Sequence, residues 1–326
     1  MPAQLCDAVR TATERRSLVK NSPGVSASAD APASYEIRTA RVTLENGVVL
    51  APTTRQMLEE AIGAIKYHKV IYSDWGFGAV DPMGRNLIIN FYGPPGTGKT
   101  LTAEGLAGTL KLPYLHVGIS ELESKYVGET AKNITAVFKA AESQAALLFF
   151  DEADTLLGAR LSSVTQGIDN EINAMRSTLL VELERFEGIV VFATNFAKNY
   201  DNAFVSRIRY NIEFSLPDHE ARKQLWHRFL VPNIPLCEGR ASLIDRCAGA
   251  SDGLSGREIR TALRIALPRA LRESPLAPKV HWDHINSALW DIRTAKKNVG
   301  HSEHMIDRTN DVEAARKLLK VDGQSR

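Results

Sequence analysis

The residues best equipped for chemistry lie in GPPGTGKT at 93–100. Gly93, Gly96 and Gly98 let a backbone turn tightly and aim successive N–H groups at one anion. The segment follows LIINFY (87–92), a short apolar run rich in β-formers, and precedes a helical pattern reaching Leu110. A helix starting there directs its positive end at the same anion. Lys99 is placed to reach β- and γ-phosphates, and the Thr100 hydroxyl suits Mg²⁺. The spacing GxxxxGK[ST] in this strand–loop–helix context predicts an ATP site built on Pro95, Gly96, Thr97, Gly98, Lys99, Thr100 and Leu101.

Two further groups belong to the same chemistry. LLFFDEAD puts Asp151 and Glu152 at the carboxyl end of a buried apolar run, where doubly wound sheets keep their ligands. Asp151 suits the surroundings of Mg²⁺, and Glu152 suits the base that orients or deprotonates an attacking water. A solvated acidic turn is the plainer alternative. FATN (192–195) ends another apolar run on Thr194 and Asn195. Asn195 is either an ordinary turn residue or, on a strand beside the phosphate-loop strand, an amide that holds the lytic water.

These residues need a frame, and the sequence supplies one. Residues 1–34 end in NSPGVSASADAPAS, a polar stretch read as a flexible arm. VTLENGVVLAP reads as a hairpin turning on Asn46-Gly47, followed by a helix over 57–71. Strand patterns at 87–92, 113–117, 147–150, 188–194 and 210–214 then alternate with helical patterns at 131–144 and 171–186. Such alternation predicts an α/β fold with a mostly parallel sheet covered on both faces. After 216 the chain holds only helical patterns. The expected organisation is an arm (1–34), a large α/β nucleotide-binding domain (35–215), a helical domain (216–296) and a polar tail (297–326).

Composition excludes several classes. With 326 residues, 44% hydrophobic and 24% charged, the chain reads as an ordinary globular protein. The formal net charge of +2 does not argue for a nucleic-acid partner. No apolar run approaches a membrane span of ~20 residues, and the first residues lack a secretory apolar core. Cys6, Cys237 and Cys247 have no metal or disulfide spacing. The His301/His304 pair lacks further ligands, His281 and His284 read as capping or solvated residues at a helix start, and Arg15-Arg16 and Lys296-Lys297 are too short for nucleic-acid patches. The expected compartment is the cytoplasm, with no membrane partner.

With the phosphate loop, the acidic pair and Asn195 in this order, the chain resembles the AAA+ ATPases, in their strict AAA clade, over roughly residues 72–292. The resemblance implies a P-loop sheet in strand order 5-1-4-3-2, a C-terminal helical lid and assembly into a homo-oligomeric ring, usually a hexamer. GPPGTGKT is then similar to Walker A, FFDE to Walker B and Asn195 to sensor 1. SDWGF resembles the segment that embraces adenine, nominating Asp74, Trp75 and Gly76. DNAFVSRIRYNIEF (201–214) resembles the arginine-finger segment, with Arg207 in the finger position and Arg209 where the family usually has Asp. GLSGREI (253–259) resembles the lid motif that carries a sensor 2 arginine in other AAA+ branches. Arg257 therefore contacts the γ-phosphate or simply pairs with Glu258 or Asp252.

ELESKYVGET (121–130) resembles the pore loop of AAA unfoldases such as katanin, spastin and Vps-type disassembly enzymes. Lys125, Tyr126, Val127 and Gly128 are its candidate grip on an extended polypeptide, because an aromatic on a Gly-flexible loop packs without reading sequence. Residues 157–169, with Arg160, are a second-loop candidate. The compact chain is also reminiscent of small bacterial AAA ATPases. The implied activity is ATP hydrolysis that remodels, unfolds or disassembles a protein substrate, chosen directly or through an adaptor. The alternatives are a nucleic-acid remodeller or helicase loader, disfavoured by the charge and the Tyr-Val-Gly loop, and a nucleotide-gated scaffold, disfavoured by Glu152 and Asn195.

Overall fold

The computed structural model describes residues 35–81, 84, 86–122, 129–158, 167–195 and 200–300. They form two compact units. One comprises the described residues as far as Ala221 together with Gly253–Arg257; the other comprises Arg222–Asp252 and the described residues from Glu258.

The first unit is built on a six-stranded sheet in the order β1-β3-β4-β5-β2-β6. Its strands are β1 (Ile37–Thr39), β2 (Leu87–Tyr92), β3 (Pro113–Gly118), β4 (Leu147–Asp151), β5 (Ile189–Thr194) and β6 (Tyr210–Glu213). Strands β2 to β6 pair in parallel, and β1 adds an antiparallel edge on β3. Counting β2 as the first core strand, this is the expected order 5-1-4-3-2. Parallel strands covered on both faces must be apolar throughout, and β4 and β5 are buried along nearly their whole length.

The two-residue period of the strands divides the core in two. Ile88, Leu115, Val117, Phe150, Val190 and Phe192 face one cluster, packed on α5 (Glu129–Ser143) and α7 (Gly167–Arg185) through Val137, Phe138, Leu179 and Leu183. Ile89, Phe91, Phe149, Val191 and Ile212 face the other, packed on α2 (Pro52–Lys66) and α3 (Lys99–Leu110) through Leu58, Ile62, Ala103 and Leu106. Helix α2 starts earlier than the expected 57, because Pro52 favours a first helical turn. It also ends earlier, and a π turn at Val70–Asp74 follows.

The expected hairpin at Asn46-Gly47 is corrected. Residues Leu44–Gly47 form a short helical turn, α1. Thr43 is its N-cap: the Asn46 amide N–H donates to Thr43 Oγ1 at 3.4 Å, and Thr43 N–H donates to Asn46 Oδ1 at 2.9 Å. Asn46 thus closes a reciprocal cap instead of turning a ribbon. Leu44 and Val48 are buried beside α3. Gly108 of α3 makes the close approach possible, since a Cβ there would stand 2.1 Å from the Val42 carbonyl oxygen.

Short helices α4 (Ile119–Leu122), α6 (Asp154–Leu157) and α8 (Asn202–Val205) complete this unit. The chain then turns helical with α9 (His219–Phe229), α10 (Arg240–Ala250), α11 (Gly256–Glu273) and α12 (Trp282–Gly300). Helix α12 continues past Lys297, where the polar tail was expected to begin. In the second unit Trp226 is fully buried and its Nε1–H donates to Ser251 Oγ at 2.9 Å. Buried Arg222 donates to the Ala248 carbonyl at 2.8 Å and pairs with Asp252 at 2.9 Å. Burial pushes the Cys247 thiol up to about 12. No described helix is long and apolar enough to cross a membrane.

Candidate active site

Strand order makes the site. Because β5 lies between β4 and β2, the carboxyl ends of three parallel strands stand side by side, with Tyr92 in register with Thr194 and Phe150 with Phe192. The segments leaving these ends carry residues 93–98, Asp151-Glu152 and Thr194-Asn195. Open α/β sheets bind ligands in this position.

Gly93 has φ 140°, and a Cβ on it would stand 2.2 Å from the Phe214 carbonyl oxygen, so the loop passes β6 only as glycine. Thr97 Oγ1 donates to the Pro94 carbonyl at 2.8 Å. Thr102 N–H donates to Gly98 O at 2.9 Å, so α3 begins where the loop ends. Pro95 is exposed, and Leu101 is 41% exposed on the first turn of α3.

Lys99 is buried, and its Nζ donates to Gly93 O at 2.6 Å, Pro94 O at 3.0 Å and Asn195 Oδ1 at 3.0 Å. Burial lowers its pKa, against the pull of Asp151 and Asp154 and with the push of Arg257. An ammonium held by carbonyl and amide oxygens can exchange them for phosphate oxygens, which bind it more strongly through charge. Lys99 and Asn195 are thus in direct contact across two strand ends.

Thr100 Oγ1 donates to Asp151 Oδ2 at 2.8 Å. Asp151 Oδ1 accepts the Glu152 amide at 3.0 Å. Burial works to raise the Asp151 pKa, but His116, Thr100 and the Glu152 amide together hold it below the ordinary carboxylate value. The hydroxyl and carboxylate are hard oxygen donors of the kind Mg²⁺ takes. Glu152 is exposed and has φ 56°, the left-handed region, at the turn out of β4.

Two neighbours were not singled out from the sequence. Asp154 Oδ1 accepts the Asn195 backbone N–H at 3.0 Å, and Ala153 N–H donates to Ala193 O at 2.9 Å, tying the acidic turn to the end of β5. The last Asp of FDEAD was the visible signal. The other is His116, a polar residue within the otherwise apolar strand LHV.

The remaining candidates fall in different places. Arg257 clusters with the first unit, and its backbone N–H donates to Gly96 O at 3.2 Å. Asp74, Trp75 and Gly76 form the bend between the π turn and a 3-10 turn at Phe77–Ala79, with Trp75 77% exposed. Arg207 is occupied by its own chain: Nη2 donates to Glu184 Oε1 of α7, and Nη1 donates to Ala203 O at 2.6 Å. Arg209 donates to the Tyr72 hydroxyl at 3.1 Å. Lys125, Tyr126, Val127, Gly128 and Arg160 lie outside the described residues.

Residues 89–216 match the family model described as the ATPase family associated with various cellular activities (AAA). The chain is similar to the 26S proteasome regulatory subunit 7 homolog of Saccharomyces cerevisiae, 37% identical over 193 residues that cover 57% of this chain and 41% of that protein. It is similar also to the ATPase family AAA domain-containing protein FIGL1 of Arabidopsis thaliana, 30% identical over 201 residues, 59% of this chain and 28% of that protein. The chain spans about half the length, or less, of the curated relatives it matches. Among solved structures, a crystal structure of a FIGL-1 AAA domain superposes with a TM-score of 0.62 at 21% identity, covering 81% of this chain and 91% of that one, a likeness of fold. The family match falls on the stretch running from β2 through β6 that brings the three strand ends together, so residues 89–216 form an AAA ATPase domain.

Proposed function

We propose that the chain binds ATP with Mg²⁺ and hydrolyses it in a ring of its own copies, using the energy to remodel a protein substrate in the cytoplasm. The observation that carries this reading is the meeting of Lys99, Thr100, Asp151 and Asn195 at three adjacent strand ends. The backbone of 93–98 and the start of α3 cradle the phosphates, and Lys99 shifts its donors onto the β- and γ-oxygens. Thr100 and Asp151 would hold Mg²⁺, which would supply positive charge to offset that of the phosphates. Asn195, freed from Lys99 and fixed through Asp154, orients the water that Glu152 deprotonates. Trp75 offers an exposed aromatic face to adenine, and Arg257, its backbone anchored at Gly96, is the candidate to reach the γ-phosphate.

Arg207 acts on a neighbour's nucleotide, where a guanidinium stabilises the charge of the transferring phosphoryl group. Within one chain it is engaged with Glu184 and with the Ala203 carbonyl, contacts it would exchange for the neighbour's phosphate. Residues 125–128 grip the substrate. Kinship with a proteasome regulatory subunit favours a protein substrate over nucleic acid. The test is ATP turnover per protomer across protein concentration, with and without an unfolded protein or duplex DNA. Turnover that rises with concentration and with unfolded protein is expected. Stimulation by DNA alone, or turnover lost by neither Lys99→Ala nor Glu152→Gln, would defeat the proposal.

A further inference from the structure

His116 sits in β3, where parallel pairing sets it opposite Phe149 and sets Gly118 opposite Asp151. Its ring stacks on Phe149 with centroids 5.0 Å apart and planes 28° apart, which fixes the direction of its edge. That edge brings Nε2 to 3.4 Å from Asp151 Oδ2. The distance exceeds a well-formed hydrogen bond, yet Nε2 is enclosed by protein and has no hydrogen-bond partner among the described residues. A buried ring nitrogen without a partner is costly, so a strand that tolerates one next to a functional carboxylate calls for a reason.

We propose that His116 is a positioning residue for Asp151, holding the carboxylate in the orientation in which it meets the divalent cation. The inference rests on the reading of Thr100 and Asp151 as the cation site. Asp151 is approached from three sides: by the Thr100 hydroxyl at 2.8 Å, by the Glu152 amide at 3.0 Å and by His116. The first comes from α3 and the second from the turn after β4, whereas His116 comes from β3, paired on both sides within the sheet. With its proton on Nε2, the ring closes on Oδ2 when the carboxylate settles onto the cation. The carboxylate then cannot rotate away, and its charge stays directed at the metal. Partners of ligating carboxylates commonly matter in this way.

The test measures binding of a fluorescent, non-hydrolysable ATP analogue while Mg²⁺ is titrated. His116→Phe keeps an aromatic ring on Phe149 and removes the donor. It is expected to raise the Mg²⁺ concentration for half-maximal tightening by roughly 10- to 100-fold, while affinity for the metal-free analogue is unchanged. His116→Gln, whose amide nitrogen can occupy the Nε2 position, is expected to restore most of the loss. In an Asp151→Asn background, His116→Phe is expected to add nothing. Thermal melts establish that each variant folds, and His116→Leu replaces the Phe variant if that one does not. An unchanged Mg²⁺ dependence in His116→Phe, or a loss in His116→Gln as deep as in the Phe variant, overturns the proposal alone. A wild-type chain whose nucleotide binding ignores Mg²⁺ overturns the cation site itself.

Discussion

Glu152 combines a chemical demand with a conformational one. Its carboxylate leaves β4 at φ 56°, a conformation that opposes its Cβ to the following carbonyl. A non-glycine residue in that region costs about 1–3 kcal/mol and persists only where its surroundings impose it. Here the imposition is visible, since the Glu152 amide is held by Asp151 and the next residue is tied to β5. The two demands separate by mutation. Glu152→Gln keeps the strain and is expected to bind ATP as before, with turnover reduced about 10²- to 10⁴-fold through loss of the base. Glu152→Gly removes both, and its unfolding free energy is expected to rise by about 1 kcal/mol as turnover is lost. Chemical denaturation of the two variants decides the matter: equal stabilities would show that the bend is not strained.

At the scale of elements, α1 and α3 dock through a glycine. Gly to Ala inside a helix normally stabilises by about 1 kcal/mol. At Gly108 the added Cβ would meet the Val42 carbonyl at 2.1 Å, so Gly108→Ala is expected to cost about 1–3 kcal/mol instead. A gain on denaturation would mean that residues 42–48 do not pack there. This contact also explains what the sequence left unread. Asn46-Gly47 looks like a turn in isolation, and only the burial of Leu44 and Val48 against α3 makes Thr43 and Asn46 a helix cap. Strand β1 has three residues, and its pairing of Ile37 with Leu115 comes entirely from the edge of a sheet formed elsewhere in the chain. The buried strands were legible because burial on both faces demands continuous apolar runs. The phosphate loop and acidic pair were legible because their spacing is local. Their adjacency came from family resemblance, and His116 stayed hidden because one polar residue in a strand does not reveal which loop end lies beside it.

For the whole molecule, the question is how many chains make one site. Arg207 and Glu184 line a cavity of about 450 Å³ with Asp81, Asn86, Ser206 and Arg209. Their ion pair holds the guanidinium of a single chain at Glu184 of α7, while Lys99 is occupied by its own loop and Asn195. If, as proposed, the site takes Arg207 from a second chain, it is incomplete in every isolated copy, and head-to-tail contacts that close on themselves would complete it around a ring. Mixing two inactive variants tests this directly. Arg207→Ala keeps an intact base but offers no guanidinium; Glu152→Gln offers the guanidinium but has no base. Where an Arg207→Ala protomer receives the arginine of a Glu152→Gln neighbour, every part is present. An equimolar mixture is expected to recover about a quarter of wild-type turnover if protomers assort at random. The recovery should vanish on dilution, because it depends on assembly. Two inactive variants that stay inactive when mixed, under conditions where sedimentation shows mixed rings, would place Arg207 in its own chain's site or in none.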